Sequence, residues 1–313
     1  MLTEWLWILL SFGVLFAGAE LLVRGGSSMA LRLGLTPLVI GLTVVAYGTS
    51  TPELIVSFKA AFAGQSDIAV GNVVGSNIFN IAIILGLAAM VCPIVTHFQV
   101  LRWDAPILFG ATLLVPLAFL DGQVSRGEGL AALLLAVGYT VKAVMMAKRE
   151  APPEAGVEVE VPGIKGGLAL DVLKIGGGLG VLVLGSRLLV DNAVVVATGL
   201  GVSQAVIGLT IVAAGTSMPE LATSVVAAIR RQPDIALGNV LGSNLFNILF
   251  VLGGSAMVHP VGTTGMKAID LWTMVGLTAL LVPLLMTGRR LNRWEGLVLV
   301  SIYLAYLAYM WPK

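Results

Sequence analysis

The sequence predicts an all-α integral membrane protein, with ten transmembrane helices in two inverted repeats of five helices each. Composition gives the first indication: 58% of the residues are hydrophobic and only 11% are charged, whereas soluble domains carry about 25% charged residues. The second is an internal repeat, because motifs of the first half return 167 positions later. The net charge of +1 and the single Cys92 give no indication of a nucleic-acid partner, an internal disulfide or a Cys-rich metal site.

Ten segments are long and apolar enough to cross a bilayer, which takes about 20 mostly apolar residues. Segments two, three, seven and eight carry Gly, Ser, Thr or Asn in the middle, so we expect broken helices at these four positions. The halves are residues 1–147 and 167–313, joined by a Pro- and Glu-rich linker over 148–166. The predicted spans are 3–23, 36–63, 67–91, 104–120, 127–147, 167–190, 203–230, 234–258, 270–287 and 294–312.

The number of segments per half sets the orientation. Five crossings are odd, so the two halves enter the membrane from opposite sides. With the N-terminus outside, the linker is cytoplasmic. Of the 18 Lys and Arg residues, 13 lie on its side if Lys174 of the sixth span snorkels to it, and five lie outside: Lys59, Arg126, Arg187, Lys267 and Lys313. This positive-inside bias predicts a protein of the cell (inner or plasma) membrane with that orientation. Inverted repeats with interrupted helices are typical of secondary transporters.

The first repeated motif places a carboxylate inside an apolar segment. Gly41–Leu54 reads GLTVVAYGTSTPEL and returns as GLTIVAAGTSMPEL over Gly208–Leu221, with 11 of 14 positions identical. The glycine allows the backbone to leave helical geometry, and the proline suits the first turn of a new helix. Carbonyls, hydroxyls and the carboxylates of Glu53 and Glu220 then converge as hard oxygen donors, which suit Na⁺ and Ca²⁺.

A purely structural interpretation is also available for this motif. Ser50 with Glu53, and Ser217 with Glu220, have the spacing of capping boxes, which start a helix. An ionised carboxylate at this depth costs at least about 2.5 kcal/mol on insertion scales, and such residues mark functional sites. The free-energy cost of a buried carboxylate occurs at both Glu53 and Glu220, which are repeat-related positions, so we interpret the two glutamates as a binding site.

The second motif adds amides and hydroxyls. DIAVGNVVGSNIFN over Asp67–Asn80 returns as DIALGNVLGSNLFN over Asp234–Asn247, again with 11 of 14 positions identical. Its glycines have the small-x-x-x-small spacing of close helix packing in membranes. Asn72, Ser76 and Asn80 share one helical face, which must meet protein or a cavity. Interhelical hydrogen bonding is the alternative role for these side chains, and helix capping is the expected role of Asp67 and Asp234.

Both motifs resemble those of the sodium/calcium exchanger family, of the prokaryotic type, within the cation/calcium antiporter superfamily. The resemblance covers the whole chain and implies that the broken helices two, three, seven and eight form the core. It also implies exchange of Na⁺ for Ca²⁺ by alternating access at a midplane site, with no cofactor. It implies Glu53 and Glu220 as the central acidic ligands. The other implied ligands are the hydroxyls of Thr49, Ser50, Ser76, Thr216, Ser217 and Ser243, the carbonyls of Ala46 and Ala213, and the side chains of Asn80 and Asn247.

Other functions stay open at this point. The glutamates are titratable, so a Ca²⁺/H⁺ or other cation/proton antiporter is the main alternative, and a passive cation channel is a second. No Ser-His, paired Asp or His-Glu-x-x-His arrangement appears, so we do not expect an enzyme. Many family members carry Asp where this chain has Asn247, which puts a potassium requirement in doubt. Ca²⁺, Na⁺ and the lipid bilayer are the only partners that the sequence indicates.

Overall fold

The computed structural model describes residues 2–150, 167–200, 213–262 and 266–310, and this part of the chain is almost entirely helical. Seven helices in it are long and apolar enough to cross a membrane, and a bent helix pair forms an eighth span if it is counted as one. The predicted linker lies outside the described residues over 151–166, as do residues 203–212 of the predicted seventh segment.

Each half follows the same order of elements. The first half contains α1 (Leu2–Leu33), α2 (Pro37–Thr49), α3 (Thr51–Phe62), α4 (Ser66–Val91), β1 (Ile94–Val95), α5 (Val100–Ala118), β2 (Gln123–Val124) and α6 (Arg126–Glu150). The second contains α7 (Leu168–Gly199), α8 (Ala213–Thr216), α9 (Met218–Ile229), α10 (Pro233–Val258), β3 (Val261–Gly262), α11 (Ala268–Met286), β4 (Arg290–Leu291) and α12 (Arg293–Met310).

The first helix of each half is longer than predicted. α1 and α7 have 32 residues each, which is about 48 Å at the usual rise of 1.5 Å per residue. A hydrocarbon core is about 30 Å thick, so helices of this length must tilt or extend beyond it. The two helices pack along each other through glycines. A Cβ on Gly18 would lie 2.8 Å from the Leu182 nitrogen, and one on Gly178 would lie 2.8 Å from the Leu22 nitrogen.

Only part of the prediction of four broken helices is correct. α2 and α3 meet at Ser50 with a bend of 47°, and a second break at Ser217 separates α8 from α9. The third and eighth predicted segments, α4 and α10, are continuous and contain π-helical turns at Asn80–Leu85 and Phe246–Leu252 instead. A π-helical turn keeps the backbone hydrogen-bonded while it re-aims the side chains, and such turns are frequent at functional sites.

Two short antiparallel sheets connect the halves at their ends. β1 pairs with β4, with Ile94 opposite Leu291, and β2 pairs with β3, with Val124 opposite Val261. Each sheet therefore brings together one loop from each repeat.

The core crossing of α2 and α10 is a backbone-to-backbone contact. A Cβ on Gly238 would lie 2.4 Å from the Leu38 carbonyl oxygen, and one on Gly242 would lie 2.4 Å from the Leu42 carbonyl oxygen. Close approach of this kind requires the small-x-x-x-small spacing. The packing role predicted for these two glycines is confirmed. The crossing also brings the second motif of one half against the first motif of the other.

Candidate cation site

The two helix breaks place Glu53 and Glu220 in the first turn of α3 and α9. Ser50 and Ser217 have φ/ψ of −80°/10° and −89°/10°, in the bridge region where the preceding helix does not continue. A proline follows within the first turn of each new helix, where its missing N–H leaves no bond unmade. Both glutamates are completely buried, with 0% exposure.

The serines bind across the repeats and do not cap their own helices. Ser50 Oγ donates to Glu220 Oε1 at 2.8 Å, and Ser217 Oγ donates to Glu53 Oε1 at 2.8 Å. Neither serine side chain makes a hydrogen bond that caps the helix that follows it. The capping-box interpretation of these pairs is therefore wrong: the side chains have a partner in the other half.

Four buried oxygen atoms at this centre lack a hydrogen-bond partner among the described residues. They are Glu53 Oε2, Glu220 Oε2, Asn80 Oδ1 and Asn247 Oδ1. An unpartnered buried acceptor is costly, and a buried charge more so. Two carboxylates and two amide oxygens are hard donors of the kind that bind Na⁺ and Ca²⁺. The chemistry of this donor set therefore fits a transported hard cation.

The remaining predicted ligands lie around the glutamates with bonds of their own. Ser76 Oγ is 3.2 Å from Ser217 Oγ, and Thr49 Oγ1 donates to Asn239 Oδ1 at 3.1 Å. Thr216 lies close to the Glu53 carboxylate, and Thr49 close to that of Glu220.

The predicted carbonyl donors differ in what surrounds them. The Ala46 carbonyl accepts from Thr49 Oγ1 at 3.3 Å and from Ser243 Oγ at 3.5 Å. Ala213 begins α8 next to the undescribed residues 201–212, so its role as a carbonyl donor stays a prediction.

A second set of asparagines, which the sequence analysis did not single out, holds the predicted ones. Asn80 Nδ2 donates to Asn244 Oδ1 at 2.9 Å, and Asn247 Nδ2 donates to Asn77 Oδ1 at 3.2 Å. Asn77 and Asn244 also donate to each other's backbone carbonyls, at 3.4 and 3.3 Å. With their Nδ2 atoms held in this way, Asn80 and Asn247 keep their Oδ1 atoms free. One signal in the sequence could have identified Asn77 and Asn244. They are asparagines at repeat-related positions of an apolar helix, outside the helical face that carries the other polar residues.

A third pair of amides fixes the glutamate backbones. Asn72 Nδ2 donates to the Glu53 carbonyl at 3.0 Å and to Ser57 Oγ at 2.9 Å. Asn239 Nδ2 makes the same bonds to the Glu220 carbonyl at 3.3 Å and to Ser224 Oγ at 3.0 Å. Hydrogen bonding between helices, the alternative considered for the stripe, is therefore correct for Asn72 and Asn239.

We expect Asn77→Ala and Asn244→Ala each to raise the half-saturating Ca²⁺ concentration about fivefold. Each variant frees the amide of a predicted ligand, and one such hydrogen bond contributes about 1 kcal/mol. Radioactive Ca²⁺ uptake at varied concentration measures the effect. Asn192→Ala is the control, because Asn192 Nδ2 donates within α7 to the Leu188 carbonyl. Unchanged half-saturation together with lower thermal stability would assign Asn77 and Asn244 to packing alone.

Comparisons with known proteins bear on this arrangement. A family model described as "Sodium/calcium exchanger protein" matches residues 3–145 and 172–311. The chain belongs to the sodium/calcium exchanger family. It is a family of transporters, and the expectation that the chain is not an enzyme is confirmed.

Relatives from bacteria and archaea match this exchanger-family chain over almost its full length. The putative antiporter CaxA of Alkalimonas amylolytica is 39% identical, over 98% of both chains. The inner membrane protein YrbG of Escherichia coli K12 is 37% identical, over 94% of this chain and 92% of its own. The sodium/calcium exchanger MaX1 of Methanosarcina acetivorans is 33% identical, over 96% of both.

The fold of a solved exchanger is also similar. The sodium-calcium exchanger NCX_Mj, soaked with 2.5 mM Na⁺ and 0.1 mM Ca²⁺, superposes with a TM-score of 0.86 at 28% identity over 100% of both chains. The fold of this exchanger-family chain is therefore an all-helical membrane fold with two repeats of the family sequence.

Proposed function

We propose that the chain is a secondary antiporter that exchanges Na⁺ for Ca²⁺ at the site between Glu53 and Glu220. The observation that supports this most is the reciprocal pair of hydrogen bonds between Ser50 and Glu220 and between Ser217 and Glu53. These bonds leave the second oxygen of each buried carboxylate without a partner among the described residues. A cation between them would satisfy both atoms.

The charge of the site supports obligatory exchange. Two ionised glutamates carry −2, which one Ca²⁺ or two Na⁺ would neutralise, with the Asn80 and Asn247 oxygens as neutral donors. Two unpaired carboxylates in a medium of low dielectric constant repel each other and have lost their hydration. A conformational change is therefore far less costly with the site loaded than with it empty. The transporter then returns only with the other ion bound.

The contacts of α1 differ between the two ends of the core. Glu20 accepts from Arg230 at 2.8 Å and from Arg24 at 2.5 Å, so α1 is connected to the end of α9. The repeat-related positions hold Arg187 and Ala63, which cannot form an ion pair. The pair of α1 and α7 therefore has an ionic contact with the core at one end. The repeat-related residues at the other end do not form an equivalent contact.

We further propose the full membrane topology. It has ten crossings in two inverted halves, 1–147 and 167–313, with the N-terminus outside and the linker over 148–166 in the cytoplasm. The sheets support it, because each pairs the loop after the third predicted span of one half with the loop after the fourth span of the other, and these loops share a side of the membrane only if the halves are inverted. The distribution of Lys and Arg supports the direction, and a relative named as an inner membrane protein supports the cell membrane as the location.

Ca²⁺ uptake into proteoliposomes under three gradients tests this function. We expect uptake when the vesicles are loaded with Na⁺ and diluted into Na⁺-free buffer. A pH gradient without Na⁺ should drive little uptake, and uptake without a counter-ion should be negligible. Uptake driven by pH alone would replace the proposal with Ca²⁺/H⁺ antiport. A flux that persists without any counter-ion would indicate a channel.

A further inference from the structure

A pocket of about 290 Å³ lies at the end of the molecule where β1 pairs with β4. Its walls come from the segment between β1 and α5, from the first turn of α5, and from the end of α11 with the residues that follow it. The lining residues are Thr96, Phe98, Leu101, Arg102, Met286 and Arg289, so none of them is acidic. The pocket is separate from the cation site, because none of its lining residues belongs to that site.

Two arginines of this pocket have no carboxylate partner within the described residues. The Arg102 guanidinium lies over the rings of Phe98 and Trp103, at 5.6 and 5.9 Å from their centroids. These ring contacts hold the guanidinium and leave its N–H groups for a ligand. Planar guanidinium groups recognise phosphate oxygens, often in pairs.

The repeat symmetry indicates that the fold itself does not require these arginines. The position related to Arg102 is Ile269, and the position related to Arg289 is Gly122. Arg289 also has a φ of 52°, in the left-handed region. Its repeat-related residue Gly122 has a φ of 92°. An arginine occupies a conformation that favours glycine, and such strain clusters at functional sites.

A buried hydroxyl completes the polar part of the pocket. Thr96 is only 5% exposed, and its Oγ1 has no hydrogen-bond partner among the described residues. Its backbone nitrogen donates to the Arg289 carbonyl at 2.9 Å, which connects the two walls. A buried hydroxyl without a partner destabilises the unliganded protein, and a ligand oxygen would satisfy it.

The surroundings of the pocket are those of a membrane interface. Phe98, Trp103 and Met286 are exposed beside the arginines, at 66%, 37% and 61%. Tryptophan side chains such as Trp103 are enriched where transmembrane helices leave the bilayer. Lys142 adds a charge here, with its Nζ 3.5 Å from the centroid of the Trp103 ring. The pocket therefore combines exposed arginines and exposed apolar side chains with the buried hydroxyl of Thr96.

We propose that this pocket binds the phosphodiester headgroup of an anionic phospholipid from the adjoining leaflet. Arg102 and Arg289 contact the phosphate, Thr96 Oγ1 donates to one of its oxygens, and Phe98 and Met286 contact the glycerol and the first acyl carbons. Basic pockets between transmembrane helices are typical sites for such headgroups. The proposal concerns binding at this pocket and does not depend on the transported ions.

The test compares lipids on the purified full chain in detergent. Phosphatidylglycerol, phosphatidylcholine and inorganic phosphate are titrated separately while thermal stability is followed, and retained lipid is counted by native mass spectrometry. We expect phosphatidylglycerol to stabilise the protein most and to stay bound. We expect the Arg102→Gln/Arg289→Gly double variant to weaken this response at least tenfold, because about two charge contacts are lost.

The variants separate the pocket from general folding effects. Arg289→Gly relieves the left-handed strain, so we expect this variant to fold at least as well as the parent without lipid. Thr96→Val removes the unpartnered hydroxyl, so it should stabilise the lipid-free protein and weaken the response to phosphatidylglycerol. Arg290→Gln removes a neighbouring exposed charge that does not line the pocket, and it should leave the response nearly unchanged.

Three results would overturn the proposal. One is a double variant that responds to phosphatidylglycerol as the parent does. Another is an equal response to phosphatidylcholine, which would leave only an apolar groove. The third is stabilisation by inorganic phosphate with no preference for the lipid, which would make the pocket a site for a free anion.

Discussion

Replacing either Glu53 or Glu220 with glutamine is expected to abolish Ca²⁺ uptake driven by a sodium gradient. Glutamine keeps an oxygen that can accept the bond from Ser217 or Ser50, so the change removes the charge and leaves the hydrogen-bond geometry available. Removing one partner of a buried charge pair costs about 2–5 kcal/mol. Ca²⁺ affinity should therefore fall by at least about 30-fold. Uptake in proteoliposomes and equilibrium Ca²⁺ binding to the purified variants measure the two effects.

The control for this prediction is Glu128→Gln. Glu128 is an exposed glutamate that accepts from Ser125 at the start of α6, outside the site. It should leave the half-saturating Ca²⁺ concentration unchanged. The two site variants should also resemble each other, because their environments are related by the repeat. Normal uptake by both would remove Glu53 and Glu220 from the proposed site, whichever counter-ion the protein uses.

Gly238→Ala is expected to lower the stability of the protein by at least about 2 kcal/mol. The added methyl group would lie 2.4 Å from the Leu38 carbonyl oxygen and 2.8 Å from the Leu42 nitrogen, so α2 and α10 would have to separate. Overpacking typically costs about 1–3 kcal/mol, and here the obstructing atoms belong to the backbone and cannot rotate away. Thermal unfolding and size-exclusion chromatography in detergent measure the loss.

A glycine at the periphery provides the matched comparison. Gly110 on α5 is exposed, and a Cβ there would meet nothing within 4 Å among the described residues. Gly110→Ala should be neutral or slightly stabilising, because alanine favours the helix over glycine. If Gly238→Ala were as stable as Gly110→Ala, the close crossing of α2 and α10 would not be present in the protein.

The central residues of the candidate site were largely predictable because both motifs that carry them occur twice in the sequence, 167 residues apart. A carboxylate in an apolar segment has a high cost in free energy, so Glu53 and Glu220 stood out without any structure. Glycine followed by proline located both breaks, at Ser50 and at Ser217. The local sequence could not reveal the partner of each serine. Its spacing predicts a bond to the glutamate three residues later, whereas the observed bonds join residues that are 164 and 170 positions apart.

Other features depend on contacts between distant segments. The polar residues of α4 and α10 indicated an interruption, yet both helices continue through π-helical turns, and the Nδ2 groups of Asn80 and Asn247 bond to asparagines of the facing helix. The last turns of α1 and α7 were missed because packing between the two helices extends them past their most apolar parts. Asn77 and Asn244 were not identified from the sequence, because their role depends on contacts between α4 and α10 that the sequence does not show.

The paired bonds at the centre also show that the two halves of the chain are complementary to each other. Each half carries a serine and a glutamate that do not bind each other, although both bind their counterparts in the copy. A two-fold contact repeats one bond twice, so either half is complementary to a second copy of itself. Two separate polypeptides of half this length would thus suffice to build the binding centre. In one chain the two copies can differ, as they do at Glu20 and Arg187 or at Arg289 and Gly122, whereas two identical polypeptides would carry the same residue at both positions.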